Sequence, residues 1–338
     1  MTLTDRRAAI LSFLIDDYID DAEPVSSRAL VDRHGLQLSS ATIRNELARL
    51  EKDGYITHPY TSAGRVPAER GYRHYVESLM SEQPIGEDEK RTIEHQFHQV
   101  ENGLDDWLTL AATVLAGAVD NAAVVTRPRN RSCRLKHLQL VYLQQESALL
   151  VAVMDDGRVQ QRILSFDGPA TQAQLNLRSE RLNARLAERD AREARLAAVE
   201  MPDRAEAETA EAVALLIEEH RGADETYLQG LRAVLQQPEF ATTDRMLDAV
   251  EVLEVYRLQR LLDDAYDIEI GSTRVLIGSE HGDETMQGWS MVISSYGVQE
   301  NLGTVAVLGP TRMHYDRTIP RVRYVAALMS DIVGEISA

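Results

Sequence analysis

Three short apolar stripes, each closed by a helix breaker, fill the first 54 residues of this 338-residue chain. Thr4 can cap a helix that begins at Asp5, in which Ile10, Leu11, Leu14, Ile15 and Tyr18 recur at helical spacing. Pro24 stops it. Ser26 can cap a second, short helix through Val31, and Gly35 stands where a left-handed C-terminal cap is wanted. After Leu36-Gln37-Leu38, Ser39 or Ser40 can cap a third helix that Gly54 ends. Helix, short helix, turn, helix is the helix-turn-helix pattern.

The third helix sorts by face. Ile43, Leu47 and Leu50 lie at i, i+4 and i+7 and face a core. The opposite face carries Ala41, Asn45, Ala48 and Lys52, flanked by Thr42, Arg44 and Arg49. Small residues allow close approach, while Asn pairs with adenine and Arg with guanine in a major groove. The helix N-terminus beside Ser40 attracts a phosphate. A solvated surface helix has the same look, so the face alone does not decide. Behind it, Tyr55 to His58 reads as a short strand, Pro59 to Arg65 as a turn-rich tip, and Val66-Pro67 as the return. A hairpin there is a wing, with Thr61, Ser62 and Arg65 at its tip for backbone or minor-groove contact. Glu69 to Met80 forms another helix, with Arg70 and Arg73 as further phosphate candidates.

The net charge is −18, from 36 basic and 54 acidic side chains, which argues against a general nucleic-acid coat protein. Its distribution is uneven: −2 over residues 1–80, −4 over 81–167, −8 over 168–265 and −4 over 266–338. Residues 39–76 carry a local excess of +2. Of the basic residues only Lys52, Lys90 and Lys136 are Lys, a bias expected of a GC-rich genome. The single cysteine, Cys133, allows no disulfide within the chain and no cysteine-based zinc cluster, so a reduced, cytoplasmic setting is expected. The longest apolar run, Ala148 to Met154, has seven residues, far short of a membrane span. Acidic residues interrupt the N-terminal apolar stretch, which argues against a signal peptide.

Residues 81–90 read as a polar linker, followed by a helical segment from Glu94 to about Asn121 with Phe97, Leu104, Leu108 and Leu115 in its stripe. Strands are predicted at His137 to Gln144, Ala148 to Met154 and Arg158 to Phe166, the last two joined by Asp155-Asp156-Gly157. Residues 168–265 are helical and acidic. Their stripes are Leu175, Leu182 and Leu186; Val213, Leu216 and Ile217; and Leu247, Val250, Leu253, Leu258 and Leu261. Strand signals return at Thr273 to Gly278, Trp289 to Tyr296 and Gly303 to Leu308, before a last helix through Val333. Strands, helices and strands again describe an α+β domain interrupted by an insertion. Two helix-turn-helix modules on a two-fold axis read an inverted repeat, and the first eighty residues hold no zipper, so pairing must come from elsewhere. The helical block is the candidate, although an unpartnered helix bundle gives the same pattern.

Other constellations carry less. His95 and His98, near Glu94 and Glu101, read as a solvated helix face, and His281, Asp283 and Glu284 as a polar surface turn. Leu308-Gly309-Pro310-Thr311-Arg312 lacks the lysine of a phosphate loop. Arg127, Arg129, Arg131, Arg134 and Lys136 face either DNA backbone or the acidic insertion. No nucleophile–base pair or metal set stands out, so neither catalysis nor a cofactor or metal is expected.

The stretch SSATIRNELARLEKDGYITHPYTSAGRVPAERGYRHYVESLM closely resembles the DNA-binding domain of the HrcA family of bacterial heat-inducible transcription repressors. Its specific motifs are SSATIRNE and TSAGR-x-P-x-x-x-GYR-x-YV. The segment IGSEH…YGVQENLGTVAVLGPTRMHYDRTI resembles the family's final stretch, and Leu235 to Phe240 (LQQPEF) a recurring one before it. The rest of the middle is similar mainly in length and composition. Trp289 stands near a position where family members often carry cysteine, which weakens any redox role. The resemblance implies an N-terminal winged helix-turn-helix over 1–80, then a linker and the start of a connecting helix over 81–104. A GAF-like α/β domain over 105–167 and 266–338 follows, interrupted by a mostly helical dimerisation domain over 168–265. It also implies a homodimer that binds a double-stranded DNA operator, the inverted-repeat CIRCE element of chaperone operons. The chaperonin GroEL is the implied partner, and heat the releasing signal. Two other readings stay open: a winged-helix regulator whose GAF-like domain senses a small molecule, and an enzyme built on the C-terminal domain.

Overall fold

Helices in the first eighty residues end where the breakers stand. The computed structural model describes residues 3–60, 63–100, 103–130, 133–144, 146–155, 157–222, 226–254, 262, 268–298 and 301–337. Helix α1 (Asp5–Asp21) closes on Ala22 in the left-handed region, two residues before Pro24. Helix α2 (Ser27–His34) is capped by Ser26 Oγ, which accepts the Ala29 N–H at 3.1 Å, and closes on Gly35 at φ +58°. Helix α3 (Ser40–Lys52) is capped by Ser39 rather than Ser40: Ser39 Oγ accepts the Thr42 N–H at 3.1 Å. Ile43, Leu47 and Leu50 are buried among Ile10, Leu11, Leu14, Ile15 and Leu30. Strands β1 (Ile56–Thr57) and β2 (Val66–Pro67) form the expected antiparallel hairpin, with Ile56 opposite Pro67. Helix α4 (Glu69–His74) runs into a π-helical turn at Tyr75–Leu79.

Two glycines hold this head together by what they lack. A Cβ on Gly64 would stand 2.5 Å from the Pro24 carbonyl oxygen, and one on Gly71 would overlap the Tyr55 carbonyl oxygen. Close backbone approach requires glycine at both positions.

The long helix expected after the linker is two, α5 (Glu87–His98) and α6 (Leu104–Val119), because Gly103 at φ +108° breaks it. Phe97, Leu108 and Leu115 are buried as predicted. Strand β3 (Ala122–Thr126) follows, unforeseen: all five of its residues are buried, so it shows no alternation.

The chain then enters a second compact unit, residues 128–225 with 299–302, distinct from the first (1–127, 226–298 and 303–338). It opens with β4 (Arg129–Asn130), paired to Asn301 and Leu302. Strands β5 (Leu135–Gln144), β6 (Ser147–Met154) and β7 (Val159–Ser165) form an antiparallel sheet of their own. The sequence suggests that they belong to the sheet of the split domain. They do not, because the helices that follow directly cover their apolar face. Leu138, Leu140, Leu150, Ala152 and Met154 are buried with Leu175, Leu182 and Leu186 of α7 (Gln172–Leu186). The same core holds α8 (Ala191–Val199) and α9 (Arg204–Gly222), with Val213, Leu216 and Ile217 buried. Asn183 secures the register by accepting the Leu138 N–H and donating to the Leu138 carbonyl, both at 2.8 Å.

Back in the first unit come β8 (Thr226–Gln229), α10 (Leu231–Leu235), α11 (Thr243–Val252), β9 (Thr273–Ile277), β10 (Trp289–Val298), β11 (Asn301–Pro310) and α12 (Tyr315–Ser337). The strand order is β8-β3-β11-β10-β9. One face, with Val125, Val292, Tyr296 and Val305, packs with Leu108 of α6 and Val325 and Met329 of α12. The other, with Val124, Met291, Ile293 and Leu308, packs with Phe240, Ala249 and Val252. The block predicted as one helical insertion is therefore divided. Its part up to residue 222 belongs to the second unit, and its remainder supplies an edge strand and covers a face of the first. Of the stripe expected here, Leu253 is buried, whereas Leu247 and Val250 are exposed and Ala249 and Val252 are buried in their place. Leu258 and Leu261 lie outside the described residues.

Gly71→Ala should destabilise the protein by about 1–3 kcal/mol through overpacking against the Tyr55 carbonyl. Gly117 lies inside α6 with open space around it, so Gly117→Ala should stabilise by about 0.5–1 kcal/mol. Urea unfolding of both variants checks the pair, and equal effects would contradict the steric account.

Candidate nucleic-acid interface

Ser39 caps α3 by accepting the Thr42 N–H, which leaves Ser40 as the first residue of the helix. Ser40, Ala41, Arg44, Asn45, Ala48 and Arg49 are all exposed on this helix. Thr42 is half-buried, its hydroxyl 2.9 Å from Ser39 Oγ. Among the described residues, no side chain bonds Arg44 or Asn45. Arg49 is 62 % exposed and 4.0 Å from Glu46, a carboxylate already taken by Arg7 Nε at 2.8 Å. Of the five residues expected to face a groove, Ser40, Arg44, Asn45 and Arg49 are exposed and Thr42 is half-buried.

The cations expected on the wing and its flank are placed differently. Thr61 and Ser62 lie outside the described residues. Arg65 is not a tip residue: its side chain is 15 % exposed, and its backbone pairs with Val25 through two 2.9 Å hydrogen bonds. Its Nη2 donates to Glu51 at 3.4 Å, and Glu51 also holds His58. Arg70 Nη1 donates to the Asp53 carbonyl at 2.6 Å and the guanidinium lies 4.6 Å over the Tyr55 ring, at the α3 C-terminus where the helix dipole favours a cation. Arg73 Nε donates to Glu280 Oε1 at 2.7 Å, and its Nη2 to the Val275 carbonyl at 2.7 Å and to Glu280 Oε2. Each of the three guanidinium groups donates to a protein acceptor. Tyr60, missed among the candidates, stands 65 % exposed at the hairpin tip; an aromatic residue inside a turn was the available signal.

Arg73 belongs to a seam between this head and the C-terminal sheet. Glu69 accepts the Ser279 N–H at 3.1 Å and the Ser279 hydroxyl at 2.5 Å. Burial alone would raise the Glu280 carboxyl. Hydrogen bonds from Arg73 and from the Ile277 N–H, with the Arg73 charge, outweigh it and hold the pKa below its ordinary value. His281 is buried rather than in a surface turn, and burial pulls its pKa down despite the Glu280 charge. Tyr72 meets Tyr315 with ring centroids 6.2 Å apart, and Tyr315 Oη is 2.7 Å from Ser290 Oγ. Arg312 donates to the Ile19 carbonyl at 2.6 Å and to Glu239 at 2.7 Å. The polar linker and α5 are strapped to α12 through Glu82–Arg323 at 2.9 Å, Glu89–Arg321 at 2.7 Å and Glu94–Tyr324 at 2.8 Å.

Among the described residues, no group of three metal-ligating side chains converges, and no helix is long and apolar enough to cross a membrane. Residues 105–319 match the family model for the HrcA protein C-terminal domain. The heat-inducible transcription repressor HrcA of Roseiflexus castenholzii is 41 % identical, covering 99 % of this chain and 95 % of that protein. The HrcA repressor of Dehalococcoides mccartyi strain 195 is 36 % identical over 99 % of this chain and 97 % of its own length. A crystal structure of a hypothetical protein shares the fold, with a TM-score of 0.58 at 22 % identity over 98 % of each chain. The chain belongs to the HrcA family of heat-inducible transcription repressors.

Proposed function

We propose that this protein is a negative transcriptional regulator of heat-shock chaperone operons that binds an inverted-repeat, CIRCE-type operator as a homodimer and leaves it on heat stress. The outward face of α3, with Arg44 and Asn45 unbonded above a buried Ile43–Leu47–Leu50 stripe, carries this proposal. Residues 1–80 then act as a winged helix-turn-helix. Asn45, Arg44 and Arg49 read base edges, Ser40 and Thr42 sit at a phosphate by the helix N-terminus, and Thr61 and Ser62 ride on the wing. Arg65, Arg70 and Arg73 build the head instead of touching DNA. The sheet with α6 and α12 serves as the GAF-like domain.

Dimerisation is assigned to the second unit, and to its sheet rather than to its helices. The uncovered face of that sheet places Val141, Leu149 and Ile163 in one cross-strand row, with Val151, Val153 and Val159 beside them. Ile163 is 66 % and Val159 54 % exposed. A second copy on this face would bury both apolar surfaces and supply the two-fold axis an inverted repeat demands. Family resemblance adds the chaperonin GroEL as the partner that restores the folded dimer in the cytoplasm. Heat would release repression because a marginally stable dimer loses its folded population steeply with temperature. No catalytic role is assigned to any residue.

Asn45→Ala should cost about 1–3 kcal/mol on the operator and far less on scrambled DNA, measured by competition gel shift. Equal losses on both would remove Asn45 from the base-reading set. Arg65→Ala should lower stability while leaving the salt slope of binding unchanged. Ile163→Asp should weaken the dimer at least about tenfold in sedimentation experiments, with the circular dichroism of the subunit unchanged. An intact dimer would move the contact elsewhere.

A further inference from the structure

We infer that Glu69, Arg73, Ser279 and Glu280 are positioning residues that latch the DNA-reading head to the C-terminal sheet and so set which half-site spacing the dimer accepts. This rests on the operator-binding reading above. Glu69 and Arg73 stand four residues apart, on one face of α4. Both reach the same short segment after β9. Glu69 takes the N–H and hydroxyl of Ser279, at 3.1 and 2.5 Å, and Arg73 grips Glu280 with two nitrogens. The receiving side is built for them. Gly278 sits at φ +52°, and a Cβ there would overlap the Glu69 carboxylate, so a side chain would close the slot. Glu280 is itself held by the Ile277 N–H at 2.9 Å. A third bond, from Arg73 to the Val275 carbonyl at 2.7 Å, ties α4 to the edge strand.

The apolar core shared with the sheet holds the head in place without direction of its own, whereas charge-assisted arms at two points fix the direction of α4. That direction passes to α3. Arg70 holds the Asp53 carbonyl at the end of α3, and Gly71 lets α4 press on the Tyr55 backbone. The reading helix is thus referred to the sheet through an unbroken set of bonds. Binding the first half-site needs only the α3 face. Capturing the second is an intramolecular step whose effective concentration depends on how firmly each head is mounted.

The test uses the full-length protein with Arg73→Gln, Glu280→Gln and the double variant. Each is titrated against a single half-site duplex and against inverted repeats whose spacer changes one base pair at a time. Half-site affinity should stay within about twofold of the parent, while affinity for the best-spaced repeat falls about tenfold and the spacing profile flattens. The double variant should lose less than the sum of the two single ones, because the residues act in large part through the pair they form with each other. An unchanged spacing profile would overturn the proposal, as would a parallel loss on half-site and repeat, which would make the latch a plain stabiliser of the fold. A parent protein that does not prefer the repeat to scrambled DNA would instead refute the operator reading. The latch then stands or falls on distances between spin labels at Asp32 and Asp331 in a Cys133→Ala background. Those distributions broaden in both single variants if it positions the head, and stay as in the parent if it does not.

Discussion

The head and the C-terminal sheet share one apolar core, and the rest of the first unit depends on that. A single cluster runs from Leu11 and Leu47 through Tyr72 and Tyr75 to Tyr315, Val325 and Met329. A module of about eighty residues has little core of its own, so borrowed burial matters. The polar contacts follow from this junction. Glu69, Arg73 and Arg312 sit at its rim, where each desolvated charge must find a partner. Linker residues that look like a flexible tether are instead strapped along α12 by ion pairs.

Helix boundaries in the head are legible in the sequence because caps and breakers act within four residues: Ser26, Gly35, Ser39 and Gly54 do their work locally. Apolar spacing is equally direct for α3 and α7. Partners of the wing-side arginines are not legible, since Glu280 and Val275 lie 207 and 202 residues from Arg73. The motif TSAGR-x-P-x-x-x-GYR therefore marks the family without telling what its residues touch. Gly64 and Gly71 let the head close on itself, while Tyr72, by its tilted ring contact with Tyr315, and Arg73, by its carboxylate partner, serve the seam. IGSEH, the other distinctive stretch, is the opposite half of the same joint.

Strand membership is the second illegible feature. Alternation along β5 and β6 reports two faces but not which layer covers each, and only the fold shows that α7 and α9 claim one of them. Strand β3 is invisible because it is buried throughout, and β8 because four residues in a helical context carry too little signal. The charge distribution reads better. Near α3, Arg7 takes Glu46, and Arg65 and His58 take Glu51. The two carboxylates of α3, Glu46 and Glu51, are thereby paired, and Arg44, Arg49 and Lys52 are left exposed on the same helix. In a chain of net charge −18, a small cationic face confined to one helix favours selective over indiscriminate DNA binding.

The division of labour between the α3 face and the seam is tested most directly by photo-crosslinking. A crosslinker placed at position 45 and, separately, at position 73 of the full-length protein is irradiated in complex with inverted-repeat operator DNA. Efficient crosslinks from 45 and none from 73 are predicted. Crosslinks from 73, or none from 45, would contradict the assignment of base reading to α3 and of mounting to the seam.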